Sequence, residues 1–239
     1  MGTQLLFRQD AYLREAEATV VGVTEQGAVV LDRTVFYPTG GGQPGDRGVL
    51  VLADGRDLAV ETTVWADPAK TVIAHVPAAG SPLPKVGDRL LARLDWPARY
   101  ARMRVHSALH LLSVALPYPV TGGSIGDGEG RLDFDIPEAG LDKEAITARL
   151  AEVVARNVDV REKWITDAEL DANPGLVKTM SVKPPRGSGV VRLIEIDGFD
   201  LQPCGGTHVR RTGEIGIVAV AQIEKKGKQN RRVRIALGS

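Results

Sequence analysis

The chain has 239 residues, 43% of them hydrophobic, and its 30 lysines and arginines are balanced by 30 aspartates and glutamates. That length and apolar content suffice for one large or two modest domains, and no apolar run approaches the roughly 18 residues of a membrane span. Balanced charge gives no global pull on nucleic acid, so only local clusters can carry that signal. The N-terminus lacks a signal-peptide core and Cys204 is the only cysteine, so no internal disulfide can form and a reducing, cytoplasmic setting is expected.

Up to about residue 95, short runs rich in β-branched residues alternate with turn signals, at 18–23, 28–31, 49–52, 58–65, 71–76 and 89–94. Such spacing predicts a small all-β barrel over residues 1–95. His75, inside one apolar run, has no partner nearby in sequence and reads as structural. The stretch from Phe36 to Asp46 departs from the pattern. Gly40, Gly41 and Gly42 there allow a backbone that hugs another surface or a mobile turn. The first is the expectation, with this segment close to the second domain.

Asp95-Trp96-Pro97 marks a boundary, with Pro97 in the first helical turn and Asp95 or Trp96 as cap. The helix is expected to run to about Leu116, where Pro117 stops it. Val105, Ala108, Leu109, Leu112 and Ala115 form its apolar stripe, and Arg99, Arg102, His106 and His110 line a neighbouring one. His106 and His110 stand at i and i+4, which puts both rings on one side of the helix about one turn apart. The glycine-rich stretch 121–128 reads as a connection and 131–136 as a strand of period two. A second helix is expected over 142–156, capped by Asp142, with Ile146, Leu150, Val153 and Val154 inward. Thr166 and Glu169 fit a capping box for a short third helix. Strands at 190–197, 216–224 and 231–237 close the chain, the last two around a hairpin loop at 225–230.

Cys204-Gly205-Gly206-Thr207-His208 adds a second pair of donors, so three of the four histidines and the only cysteine occur in pairs. Sulfur plus three imidazoles, His106, His110, Cys204 and His208, is a donor set that suits tetrahedral Zn²⁺. Four protein ligands usually mean a structural site, whereas a single thiolate flanked by glycines favours an open, catalytic one. Zinc lowers the pKa of a bound water to about 7 and polarises an ester carbonyl, so metal-assisted hydrolysis by that water is the expected chemistry. No side chain is assigned to proton transfer.

The motifs, taken together and in order, resemble a known family. His106-x-x-x-His110 after an arginine-rich helix start, Gly123-Ser124 before Arg131-Leu132-Asp133-Phe134-Asp135, and Cys204-Gly205-Gly206-Thr207-His208-Val209 followed by Thr212-Gly213-Glu214-Ile215-Gly216 are similar to the editing domain of alanyl-tRNA synthetase. They resemble still more its free-standing relatives, the alanyl-tRNA editing proteins of AlaX type, whose longer members carry a glycine-rich motif like Phe36 to Asp46. The resemblance spans nearly the whole chain. It implies an α+β architecture: a small N-terminal β-barrel domain at 1–95, then an editing domain at 96–239 with an antiparallel sheet and two main helices. It also implies trans-editing, the hydrolysis of serine, with glycine as a further substrate, from mischarged alanine tRNA, with His106, His110, Cys204 and His208 matching the family's zinc ligands. Thr121 falls near where many synthetase editing domains have glutamine.

Such an enzyme must reject alanine, which is smaller than serine, so sterics cannot serve. A pocket built around the serine hydroxyl can, since alanine leaves buried polar groups unpaired at about 1–3 kcal/mol each. Thr121, Ser124 and Thr207 are the candidate hydroxyls. For tRNA phosphates the candidates are Arg99, Arg102 and Arg104 beside the metal helix, joined by Arg210 and Arg211, and Lys225, Lys226 and Lys228 in the hairpin with Arg231, Arg232 and Arg234. Two other readings stay open: deacylation of another mischarged tRNA, such as a threonine tRNA, and a non-catalytic RNA-binding module stapled by zinc.

Overall fold

The computed structural model describes residues 2–136, 140–180 and 189–238. The chain divides into two compact units, Met1–Gly40 with Pro44–Tyr100, and Gly41–Gln43 with Ala101–Ser239. The first contains β1 (Gln4–Leu5), β2 (Glu15–Val23), β3 (Val29–Leu31), β4 (Arg33–Thr34), β5 (Gly48–Leu52), β6 (Asp57–Trp65), β7 (Ile73–Pro77) and β8 (Arg89–Leu94). Six of these close an antiparallel barrel in the order β2-β3-β7-β6-β5-β8, and β1 pairs with β4 in parallel. The six runs read as strands from the sequence are the six barrel strands. Alternation sends Val20, Leu31, Leu50, Leu58, Val60, Leu90 and Ala92 into one buried cluster, because residues two apart share a face. His75 is fully buried among them. Its Nδ1 donates to the Val29 carbonyl (3.0 Å) and its Nε2 accepts from Thr34 Oγ1 (2.8 Å). Burial holds the ring's pKa down at about 4, against the opposing hydrogen bond to Val29.

Helix α1 (Trp96–Ala115) starts in the first unit and continues in the second. Asp95 is its cap, accepting from the Ala98 backbone N–H at 3.2 Å. Arg99, in its first turn, is fully buried. Its guanidinium donates to Asp46 through Nε (2.9 Å), to the Ala11 carbonyl (3.0 Å) and to the Val35 carbonyl (2.7 Å). The phosphate contact expected of Arg99 is therefore withdrawn, because a side chain sealed from solvent by its own ion pair has no surface to offer.

The second unit adds β9 (Val120–Ile125), β10 (Glu129–Asp135), α2 (Lys143–Arg156), β11 (Val160–Thr166), α3 (Asp167–Ala172), β12 (Val190–Ile196), β13 (Asp200–Pro203), β14 (Val218–Lys225) and β15 (Asn230–Leu237). Two antiparallel sheets form, β14-β15-β10-β9 and β11-β12-β13. Helix α2 has the expected cap, Asp142 accepting from Ala145 N–H at 2.9 Å, and α3 opens with the Thr166–Glu169 capping box. The expected connection at 121–128 is largely strand β9. Its glycines serve close approach there: a Cβ on Gly123 would sit 3.0 Å from the Leu132 side chain on β10. Strands β11 and β13 had no counterpart in the sequence reading.

Candidate metal centre

Helix α1 is buried almost all round over residues 103–113, and among its apolar side chains it buries His106, Ser107, His110 and Ser113. Buried polar groups need partners, and here β13, the loop after it and Gln43 supply them. One ligand atom each from His106, His110, Cys204 and His208 lies within 4.8 Å of every other. Cys204 Sγ is 3.4 Å from His106 Nε2 and 3.2 Å from His208 Nε2. The four candidate ligands read from sequence thus converge at one point, and they could hold a metal ion.

The far nitrogen of each ring has its own partner. Gln43 Oε1 lies 3.1 Å from His106 Nδ1, Ser107 Oγ lies 3.2 Å from His208 Nδ1, and Asp200 Oδ2 lies 3.0 Å from His110 Nδ1. Two of these fix a tautomer. The Thr207 backbone N–H, which can only donate, points at Gln43 Oε1 (3.1 Å), so that oxygen is the acceptor and His106 Nδ1 must carry the proton. A carboxylate leaves the same assignment at His110. In its neutral form each ring therefore turns an Nε2 lone pair to the cluster.

The loop is held as tightly as the rings. Arg192, on β12, donates to the carbonyls of Cys204 (2.8 Å) and Gly206 (2.9 Å), and Val209 N–H donates to Ser107 Oγ (3.2 Å). Gly206 passes against His106 so closely that any Cβ would collide with the ring, which restricts this position to glycine. Gly41–Gln43 belongs to the same unit, the Gly42 carbonyl accepting from Ile125 N–H at 2.9 Å.

Electrostatics follow from this crowding. Burial pushes the Cys204 thiol up, but the neighbouring His106 and His208 outweigh it and hold the thiol well below its ordinary range. Burial and nearby His106 keep His208 well below the usual imidazole value. For His110 burial acts downward, yet the hydrogen bond to Asp200 and the Cys204 sulfur raise it to about 9. Asp200 is likewise pushed up by burial and brought lower overall by His110, Lys178 and Gln202. The thiolate is already in the form that a cation needs, whereas His110 carries a second proton near neutral pH that a bound cation would have to displace.

The other candidate residues fare differently. Thr207 is buried, and its hydroxyl accepts from Gln43 Nε2 at 2.9 Å. Thr121 Oγ1 donates to the Asp133 carbonyl (3.1 Å) and accepts from Asn230 (2.7 Å). Ser124 is half-buried on β9, next to the Gly42 anchor. Arg102 is buried and pairs with Asp127 (2.6 Å), while Arg104 donates to the Ile215 carbonyl (3.0 Å). In the hairpin Lys225, Lys226 and Lys228 are exposed, Lys226 pairing with Glu224 at 2.8 Å. Arg232 and Arg234 are drawn into pairs with Asp133 and Glu224, each at 2.7 Å. Gln43, Ser107, Arg192 and Asp200 were missed by sequence reading. Only Gln43, beside three glycines, and Asp200, four residues before Cys204, carried any positional hint.

A family model described as "Threonyl and Alanyl tRNA synthetase second additional domain" matches residues 191–234, and one described as "tRNA synthetases class II (A)" matches residues 8–98. The chain is 35% identical over 244 residues to the alanyl-tRNA editing protein AlaX-M of Methanosarcina mazei, covering 98% of this chain and 96% of that protein. It is 34% identical over 247 residues to AlaX-L of Pyrococcus horikoshii, covering 98% of this chain and 57% of that one. It is 39% identical over 234 residues to the alanine–tRNA ligase of Korarchaeum cryptofilum, where the match covers 93% of this chain but only 25% of the ligase.

Proposed function

The chain belongs to the alanyl-tRNA editing proteins, and from that premise we propose that it is a cytoplasmic, zinc-dependent hydrolase that removes serine, with glycine as a further substrate, from mischarged alanine tRNA. In this reading residues 1–95 are a barrel domain and residues 96–239 the editing domain. The observation that carries the chemistry is the convergence of His106, His110, Cys204 and His208 with their distal nitrogens turned to other partners. The donor set fits zinc. A tetrahedron with Zn–N and Zn–S bonds of about 2.0–2.3 Å has edges of roughly 3.3–3.7 Å, close to the observed sulfur–nitrogen separations of 3.4 and 3.2 Å.

When bound, zinc supplies Lewis acidity at the ester carbonyl. The protein's own groups do the rest. Gln43 and Asp200 keep two rings aimed, and Arg192 holds the loop carbonyls, so the ligand atoms need no reorganisation when the ester arrives. A Cβ added at Gly205, next in sequence to Cys204, would meet nothing within 4 Å, so the chain beside the sulfur-bearing residue is not crowded on that side. Ser124 is the hydroxyl we assign to reading a serine side chain, since those of Thr121 and Thr207 are already engaged. Lys225 and Lys228 are the surface cations for tRNA phosphates, with Lys226, Arg102 and Arg104 in supporting positions that their existing partners restrict.

The test is deacylation of Ser-tRNA(Ala), Gly-tRNA(Ala) and Ala-tRNA(Ala), with and without chelator. Release of serine that stops on chelation and returns with zinc, with alanine spared, is the expected result. Faster hydrolysis of a mischarged threonine tRNA would move the specificity. No hydrolysis by the zinc-loaded protein would leave a stapled RNA-binding module.

A further inference from the structure

Burial along β13 alternates, so that Asp200 and Gln202 face inward on the strand that leads directly into Cys204. The Asp200 carboxylate is wholly removed from solvent. One oxygen takes His110 Nδ1–H (3.0 Å) and Gln202 Nε2 (2.6 Å), and the other takes the Lys178 ammonium. Gln202 reaches on to Ser113 Oγ (3.2 Å), whose hydroxyl donates to the backbone carbonyl of His110 itself (2.8 Å). The ring and the backbone of His110 thus belong to one closed circuit of hydrogen bonds.

We propose that Asp200 is a positioning residue for His110: it keeps the proton on Nδ1, aims Nε2 at the metal, and strengthens that nitrogen as a donor. The assignment rests on the metal reading above. Among the described residues, His110 alone of the three imidazoles leans on a carboxylate; His106 has an amide oxygen and His208 a hydroxyl. A carboxylate behind an imidazole polarises its N–H, fixes the tautomer and raises the basicity of the opposite nitrogen. The charge on so deeply buried an oxygen pair is balanced by Lys178. All three partners of Asp200 are donors, so an amide of the same shape must present its NH₂ group to one of them. Asparagine therefore preserves the volume and breaks the circuit, which makes it the informative substitution.

The experiment compares wild type, Asp200→Asn and Asp200→Glu by chelator competition for zinc and by the visible spectrum of the cobalt(II)-loaded protein. Folding is checked by circular dichroism. Asp200→Asn is expected to bind zinc about 10–100-fold more weakly and to change the cobalt spectrum, with Asp200→Glu recovering part of both. Wild-type affinity and an unaltered spectrum in Asp200→Asn overturn the proposal while leaving the metal site standing. A wild type that takes up neither metal overturns the metal reading and the proposal with it. If Asp200→Asn does not fold, histidine-labelled NMR of the zinc-loaded wild type decides. A hydrogen-bonded proton on His110 Nδ1 supports the role, and ligation through Nδ1, or an Nδ1 proton exchanging freely with water, overturns it.

Discussion

Gln43 makes three contacts with one amide: it accepts from Thr207 N–H and from His106 Nδ1–H, and it donates to the Thr207 hydroxyl. Replacing it by leucine keeps the volume and leaves two buried donors unpaired. Gln43→Leu should therefore loosen metal binding about tenfold or more, read by chelator competition, because outer partners of ligating histidines typically matter on that scale. Arg99 sets the opposite expectation. Breaking its buried pair with Asp46 by Arg99→Met should cost about 3–5 kcal/mol of stability in denaturant titration, since an uncompensated carboxylate remains inside. The slope of tRNA affinity against salt should not change. A flattened slope in a folded Arg99→Met protein would restore it as a phosphate contact. The four donors were legible in sequence because they are the chain's rare, chemically distinctive types at helix and loop spacings. Their supporters were not, because Gln, Ser, Asp and Arg are common and their roles depend on what the fold brings opposite them. Arg99 was misread for the same reason, an arginine on a helix being solvated by default.

Among the elements, the barrel strands, α1 and the capped starts of α2 and α3 follow from patterns that local chemistry alone imposes. Asp142→Ala should accordingly cost about 1 kcal/mol in thermal or urea unfolding, the usual worth of an N-cap side chain. Besides the two-residue strands β1 and β4, three strands of the second unit escaped for distinct physical causes. Glycines in β9 looked like a connection because a missing side chain signals both mobility and close packing. Strand β11 is exposed along most of its length, so it has no alternation to read, and β13 is only four residues long. The barrel also contains a pH-sensitive element in His75, whose pKa falls from 6.5 when unfolded to about 4 when folded. The unfolded chain therefore binds more protons between these values. The stability contribution is complete above pH 6.5 and is lost as pH falls toward 4, about 3 kcal/mol in all. Urea titrations at pH 7 and pH 5 should show a larger loss for wild type than for His75→Gln. An equal loss would place the acid sensitivity elsewhere.

On the scale of the whole molecule, stability is expected to be unevenly distributed. The barrel closes on its own strands around a continuous apolar cluster, whereas the Cys204–His208 loop is held by hydrogen bonds from Arg192 and to Ser107 and by the four donors it helps to gather. Removing metal should speed amide exchange at 106–110 and 200–209 while barrel amides keep their protection, measured by hydrogen exchange with and without chelator. Uniform acceleration across both units would mean that they unfold as one. The interleaving of the chain has a practical corollary. Gly41–Gln43 is counted with the unit that holds the four donors, although it lies more than fifty residues ahead of α1. A gene fragment starting at residue 96 would encode every ligand yet omit the amide that orients His106. Such a fragment should regain tight zinc binding only when residues 1–95 are supplied in trans, so fission of this gene at its most obvious seam would separate a ligand from its guide.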